Sequence, residues 1–288
     1  MVMTREPGRL YLVATPIGNL EDITLRALRI LKEADVIAAE DTRHTIKLLN
    51  HYEIKKKMIS YHQHNEREQS ERLIQRMLQG EKIALVSDAG MPGISDPGTI
   101  LVAEAIRSGI TVVPIPGPSA VISALSASGL DTSSFMFVGF LPRKKSEQVQ
   151  RLKQIEMFHG TLVFYESPHR IETTLKVLRE VLGNRQAVIA RELTKVHEEF
   201  VRGELDSLLT KVAVYPNIGE FTILVSGLDE NNRQKTTKKN DVEDIEVLFE
   251  RMQGEGSSLK EELKVIAQKT GKPVKQIYRL YLERRKKQ

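Results

Sequence analysis

Four short segments of this 288-residue chain combine small, polar and acidic residues in a way that can do chemistry: Thr15-Pro16-Ile17-Gly18-Asn19, Glu40-Asp41-Thr42-Arg43, the run from Ser87 to Gly98, and Pro116-Gly117-Pro118-Ser119-Ala120. The Ser87–Gly98 run is the richest, with three glycines and two prolines that let backbone approach a ligand closely, and with Asp88 and Asp96 as acceptors. Asp96-Pro97 also has the form of a helix start, a capping carboxylate before a proline at the first helical position, so capping is the expected job of Asp96. Asp88, at a strand end, reads instead as a ligand acceptor. Carboxylates and backbone carbonyls suit a ligand with hydroxyls and a positive charge, such as S-adenosylmethionine, better than a phosphate. The phosphate-cradling motifs G-x-G-x-x-G after the first strand and G-x-x-x-x-G-K-[ST] are absent, as is a G-x-S-x-G nucleophile elbow.

The elements that must position these segments alternate strand and helix. Leu10–Ala14, Val36–Ala39, Ile83–Val86 and Val112–Ile115 are short apolar runs, and each is followed by one of the four polar segments. Between them lie helical patterns: one after a cap at Asp22 with Ile23, Ala27, Ile30 and Ala34 on one stripe, one through Leu73, Ile74 and Met77 ending at Gly80, and one through Ile100, Ala103 and Ile106 ending at Gly109. Strands apolar throughout, each followed by a helix, predict a parallel sheet covered on both faces, with all four segments at its carboxyl edge, where such sheets bind ligands. A second α/β unit follows the stiff Ile115–Ser119 turn, with strands at Phe135–Gly139, Thr161–Tyr165, Ala187–Ala190 and Glu220–Val225 and a helix from Ser167-Pro168 to Gly183. The polar, lysine-rich stretch from Gly227 to Asn240 reads as a linker, and two helical patterns separated by Thr270-Gly271-Lys272-Pro273 close the chain as a helix-turn-helix or a plain helical hairpin. The expected domains are therefore 1–116, 117–228 and 229–288.

Charge divides the chain in the same place. Of 43 Lys+Arg and 38 Asp+Glu, the last 58 residues hold 15 and 9, so residues 1–230 carry 28 against 29 and all the basic excess lies in the tail. That is the pattern of a neutral body with a polyanion-reading tail. Absence of cysteine excludes disulfides, thiolate metal sites, iron–sulfur clusters and a Cys nucleophile, and with no long apolar run it points to a cytoplasmic protein free of the membrane.

The runs A-T-P-I-G-N-L-E-D-I-T, A-E-D-T-R-H-T, S-D-A-G-M-P-G-I-S-D-P-G, P-G-P-S-A, G-F-L-P-R-K, E-S-P-H-R and R-E-L-T-K-V-H-E-E occur in this order over residues 10–225. They resemble those of the ribosomal RNA small subunit methyltransferase I family, a branch of the tetrapyrrole methylase superfamily. The resemblance implies two α/β domains of the tetrapyrrole methylase type with the cofactor cleft between them, a homodimer, and S-adenosylmethionine-dependent methylation of a cytidine ribose 2′-oxygen in the decoding region of 16S rRNA, within the small ribosomal subunit. The implied cofactor contacts are Thr15, Pro16, Asp88, Ala89, Gly90, Pro92, Ser119, Ala120, Tyr165, Glu166 and Ser167. Two departures stand out: Ala14 and Pro16 replace the glycines of small-molecule methylases, as in the rRNA branch, and Met91 stands where that branch commonly has Thr.

A ribose hydroxyl is a poor nucleophile and calls for a positioned base or a charge that stabilises alkoxide character. Candidates are Glu40, Asp41, Arg43, His64 and Glu192, with Glu66 and Arg191 nearby, although Asp41 and Arg43 can equally pair with each other to fix their loop. The H-x-H at His62 and His64 with one carboxylate is too thin for zinc, and no metal is expected. RNA contacts are expected from Lys55, Lys56, Lys57, Arg143, Lys144, Lys145, Arg170 and the terminal Arg284, Arg285, Lys286 and Lys287; such contacts give affinity without sequence discrimination. With aromatics at 5% and no Trp, the target is expected to be read by shape. Two other readings fit parts of the chain: a methyltransferase acting on a small molecule such as a tetrapyrrole leaves the tail idle, and a DNA-binding regulator using the terminal helices leaves the body unexplained.

Overall fold

The first sheet is built from five parallel strands, β1 (Arg9–Val13), β2 (Val36–Ala39), β3 (Lys57–Ser60), β4 (Ile83–Val86) and β5 (Thr111–Ile115), in the order β3-β2-β4-β1-β5. They belong to a computed structural model that describes residues 6–212, 218–228, 259–270 and 273–285. Every residue of β2 and β4 is buried, and alternate side chains feed two cores. On one face Ile37, Ala39, Ala84 and Val86 pack with α1 (Leu25–Glu33) and α2 (Thr42–His51); on the other, Ala38, Ile83 and Leu85 pack with α3 (Glu66–Leu78) and α4 (Thr99–Arg107). The connection after β2 runs outward to β3 while the connection after β4 runs the other way to β5. The crevice where such connections diverge lies between the carboxyl ends of β2 and β4, and it is there that Glu40 and Asp88 sit.

The second sheet holds β6 (Phe135–Phe140), β7 (Thr161–Glu166), β8 (Gln186–Arg191), β9 (Glu199–Glu204) and β10 (Phe221–Val225) in the order β6-β7-β10-β8-β9. It is mixed: β6 and β7 are parallel, and β10 runs antiparallel between β7 and β8. One face packs against α6 (Lys145–Lys153), α7 (Ile171–Leu182) and α8 (Leu205–Val212). The other face receives α5 (Ala120–Ser128), the helix that leaves the first sheet, through Val121, Ala124 and Leu125 against Val163, Val188 and Leu224. Residues Met1–Gly227, carrying both sheets, form one compact unit, and Leu228–Gln288 another. In the second unit, α9 (Leu259–Thr270) and α10 (Val274–Arg285) share a small core of Leu263, Ile266, Ala267 and Ile277. Among the described residues no helix is long and apolar enough to cross a membrane.

Three sequence expectations are corrected here. The first helix is capped by Thr24, whose hydroxyl accepts from Ala27 N at 3.1 Å, while Asp22 closes a short 3-10 turn before it. The fourth helix begins at Thr99 with Gly98 at its N-cap and no side-chain cap, so Asp96 does not cap it. Strands β3 and β9 were not expected; both are sheet edges of mixed polarity, without the apolar run that marks a buried strand.

Candidate functional site

Loops from both sheets of the first unit enclose a cavity of about 430 Å³, within the range of about 300–1,000 Å³ typical of small-molecule sites. Its floor comes from a pinch between the loops after β1 and β4. Thr15 N donates to Gly90 O at 2.9 Å, Gly90 N returns the bond to Thr15 O at 3.0 Å, and the buried Thr15 hydroxyl donates to Ser87 O at 3.0 Å. Gly90 adopts φ +81°, where a side chain is strained, which accounts for glycine at this contact. Thr15, Pro16 and Pro92 thus shape the loops from beneath and do not line the cavity, whereas Asp88, Ala89, Gly90, Ser119, Ala120, Tyr165, Glu166 and Ser167 do. Ser119 also caps α5, its Oγ accepting from Ile122 N at 3.5 Å.

The lining is acidic. It contains Glu40, Asp88, Asp96, Glu166 and Glu220 and, among the described residues, no Lys, Arg or His. The groups are held differently. Asp88 Oδ1 accepts the Asp41 amide at 3.1 Å, tying the β4 loop to the end of β2. Glu40 is pushed above the usual carboxylate range by burial and then by the charge of Asp88, with the Asp88 amide and His62 opposing. Burial, then Glu40 and Asp88, raises Asp96 to about 7. Glu166, its side chain fully buried, is saturated: it accepts from Ser167 N at 2.8 Å and Thr174 Oγ1 at 2.6 Å and pairs with Arg170 at 3.3 Å. Ile17, Ile94, Leu193, Phe140 and Tyr165 add apolar and aromatic surface to the same lining, the last two rings 5.6 Å apart. Burial, then the nearby Asp96, pushes the Tyr165 phenol up to about 12.

Of the residues read as acid–base candidates, only Glu40 lines the cavity. Asp41 caps α2 through Arg43 N at 2.8 Å and pairs with the Arg43 guanidinium at 2.7 Å, which holds its carboxyl far below the usual range. His64 is exposed, its ring 5.9 Å from that of His62. Glu192, in the left-handed region at φ 51°, clasps the turn after β8 to the start of β10: Lys195 Nζ donates to it at 2.8 Å and Glu220 N at 2.9 Å. Burial raises its pKa, but these donors outweigh burial and leave it lowered. Among the described residues no group of three or more His, Cys, Asp or Glu is placed to hold a metal ion.

Lys55, Lys57, Arg143, Lys144 and Lys145 are exposed and Lys56 half-exposed. Lys144 and Lys145 make surface pairs with Glu147 and Glu180, which hold them weakly. Arg170 is turned inward, donating to Leu141 O at 2.8 Å and Pro142 O at 3.1 Å besides pairing with Glu166. Arg284 and Arg285 fall in α10, their side chains outside the described residues, as are Lys286 and Lys287 altogether.

Sequence reasoning missed Phe140, Leu193, Ser95 and the Gly219–Thr222 edge of the cavity. Phe140 lies in the quoted G-F-L-P-R-K run and Ser95 in the glycine-rich loop, so motif position could have flagged both. The β10 edge carried no signal, because only the return of that strand between β7 and β8 brings it to the site.

Comparison with known proteins places this architecture. Residues 9–209 match the model of the Tetrapyrrole (Corrin/Porphyrin) Methylases. The chain is 49% identical over 276 residues to the ribosomal RNA small subunit methyltransferase I of Halalkalibacterium halodurans, covering 96% of this chain and 95% of that one. The protein of the same name from Thermotoga maritima is 47% identical over 220 residues, 76% of this chain but 99% of its own length. Among solved structures, the uroporphyrin-III C-methyltransferase of Thermus thermophilus in complex with S-adenosylhomocysteine shares the fold, with TM-score 0.54 and 22% identity over 75% of this chain and 97% of that one. The chain therefore belongs to the tetrapyrrole methylase family, in the branch formed by the ribosomal RNA small subunit methyltransferase I proteins.

Proposed function

We propose that this chain is an S-adenosylmethionine-dependent methyltransferase that modifies a cytidine ribose 2′-oxygen of 16S rRNA in the small ribosomal subunit. The observation that carries the reading is the 49% identity, over nearly the whole chain, to a protein named for methylation of small-subunit ribosomal RNA; the cytidine 2′-oxygen is what the resemblance to that family implies. The cavity fits the cofactor on its own chemistry. Five acidic residues and, among the described residues, no basic one line it; Glu166 and Glu220 are paired with Arg170 and Lys195, which leaves Glu40, Asp88 and Asp96 to favour a cation over a phosphate, and apolar and aromatic side chains complete the lining. Bound there, the cofactor supplies a methyl group whose bonding electrons stay on sulfur when it leaves.

The chain's own residues do the rest. Asp88 and Glu40 offer acceptors at the crevice between β2 and β4, the Ala89–Gly90 and Ser119–Ala120 backbones line the entrance to the same space, and the Thr15–Gly90 pinch fixes the loops relative to each other. Holding two reactants in line on such a rigid frame supplies much of the acceleration of a displacement. The reading is tested by incubating the protein with labelled S-adenosylmethionine and small subunits, free rRNA, or tetrapyrrole precursors; it fails if RNA stays unlabelled.

The tail contributes affinity rather than chemistry. The Thermotoga maritima relative is matched over 99% of its length by 76% of this chain, so a protein of that name does without nearly seventy of the residues present here. Deleting Asn231–Gln288, which removes a net charge of +6, is expected to weaken RNA binding and flatten its salt dependence while cofactor affinity survives. Binding measured across a salt series checks this, and an unchanged slope counts against it.

A further inference from the structure

We propose that Asp96 is the proton acceptor of the transfer: its carboxylate takes the proton of the attacking ribose hydroxyl as the oxygen–methyl bond forms and the carbon–sulfur bond breaks, leaving a methylated ribose, a neutral thioether and a protonated Asp96. The proposal rests on the methyltransferase reading above and names the group that reading leaves open.

The geometry singles out Asp96 among the acidic residues of the cavity. Asp96-Pro97 has the sequence of a helix cap, yet the helix starts at Thr99 on Gly98 and leaves the Asp96 carboxyl unused by it. The chain accepts strain to put it there: Ser95 stands at φ 64°, a conformation that non-glycine residues adopt at a cost and that is retained where function needs it. The far side of the turn is pinned, with Gly98 N donating to Glu66 Oε1 at 2.9 Å and Tyr61 donating to the same oxygen at 3.2 Å. The turn that carries Asp96 into the lining is thus fixed on its Gly98 side by contacts that do not involve the Asp96 carboxyl.

Its acidic neighbours already have partners in the fold. Asp88 Oδ1 accepts the Asp41 amide while its other oxygen stays available to a ligand, Glu40 lies against the Asp88 backbone and faces His62, and Glu166 is saturated by Ser167, Thr174 and Arg170. Glu220 pairs with Lys195 at 3.0 Å. The Ser87 hydroxyl, which donates to Gly90 O at 3.2 Å, lies near Asp96 and opposes the rise in its pKa, and the charged or titratable groups that face Asp96 are Glu40 from the end of β2, Asp88 from the β4 loop and Tyr165 from β7. A base is most effective when its pKa lies near the working pH, and the value of about 7 that burial and these carboxylates impose meets that condition.

The test is Asp96→Asn, an isosteric change, assayed beside wild type for methyl transfer to small subunits and, by calorimetry, for affinity toward the sulfonium cofactor S-adenosylmethionine. We expect kcat to fall by about 10²-fold or more with the affinity unchanged, and the acid limb of wild-type kcat/KM, which declines below a pH of about 7, to vanish in the variant. Turnover within a few-fold of wild type overturns the proposal. So does a loss of affinity that matches the loss of turnover, which makes Asp96 a counter-charge for the cofactor. If the variant does not fold, the wild-type profile decides: a flat kcat/KM from about pH 5 to about pH 8 overturns it. A wild-type enzyme that labels no RNA instead overturns the methyltransferase reading, and the proposal falls with it, so the two failures are told apart by the wild-type arm.

Discussion

Alanine at Asp88 is expected to weaken S-adenosylmethionine binding by roughly ten- to a hundredfold, the effect of removing one charged hydrogen-bonding group from a partly buried site. Asp88 sits where the connections from β2 and β4 diverge, and its carboxylate reaches across that crevice to the Asp41 amide at 3.1 Å. The substitution therefore removes an acceptor for the ligand and the tie that holds the Glu40 loop against the Ser87–Gly98 loop. Calorimetric titration checks it. Asp88→Asn separates the two roles: a neutral side chain that still accepts the Asp41 amide keeps the loops in place and loses only the charge. Wild-type affinity in the alanine variant would move Asp88 to a structural role.

Glu166→Ala is expected to act on stability first. The carboxylate is fully buried in the side chain, and its removal strands the Thr174 hydroxyl, the Ser167 amide and part of the Arg170 guanidinium beneath the end of β7. Breaking a buried ion pair by deleting one partner costs about 3–5 kcal/mol. For a chain of this size that lowers the melting temperature by on the order of 10 °C. Glu166→Gln keeps the volume and an acceptor and should recover much of the loss. A melting temperature unchanged in the alanine variant, together with weakened cofactor binding, would show that Glu166 serves the ligand and not the fold.

These two carboxylates illustrate what was readable beforehand. Asp88 follows a strand that is apolar throughout, and a residue at the carboxyl end of such a strand is at the binding edge of a parallel sheet whatever its neighbours are. Position along the chain was enough to place it in the cavity lining. Glu166 ends a similar strand, but its ring of donors comes from α7 and from the residue after it, and the side chain turns inward to meet them. Sequence pattern could not tell an inward carboxylate from a ligand acceptor. Arg170 follows the same logic: a basic residue in a turn reads as a phosphate contact until the carbonyls of Leu141 and Pro142 are seen beneath it. Asp96 is the reverse case, since local rules assigned it to the helix and the loop strain at Ser95 took it away.

The sheets divide in the same manner. Strands β1, β2, β4 and β5 announce themselves by apolar runs, while β3 and β9, each at one edge of its sheet, mix polar with apolar residues and leave no run to read. Antiparallel insertion of β10 between β7 and β8 has no local signature, and it is this pairing that brings Glu220 and Phe221 to the cavity.

The activity proposed for this chain, passage of a methyl group from sulfur to a ribose oxygen of 16S rRNA, is tested by incubating the full chain with methyl-labelled S-adenosylmethionine and purified small ribosomal subunits, digesting the RNA to nucleosides, and identifying the labelled species by mass spectrometry. Label is expected in 2′-O-methylcytidine. Label on a base, or label that enters a tetrapyrrole precursor while the RNA stays unlabelled, would overturn the proposed activity.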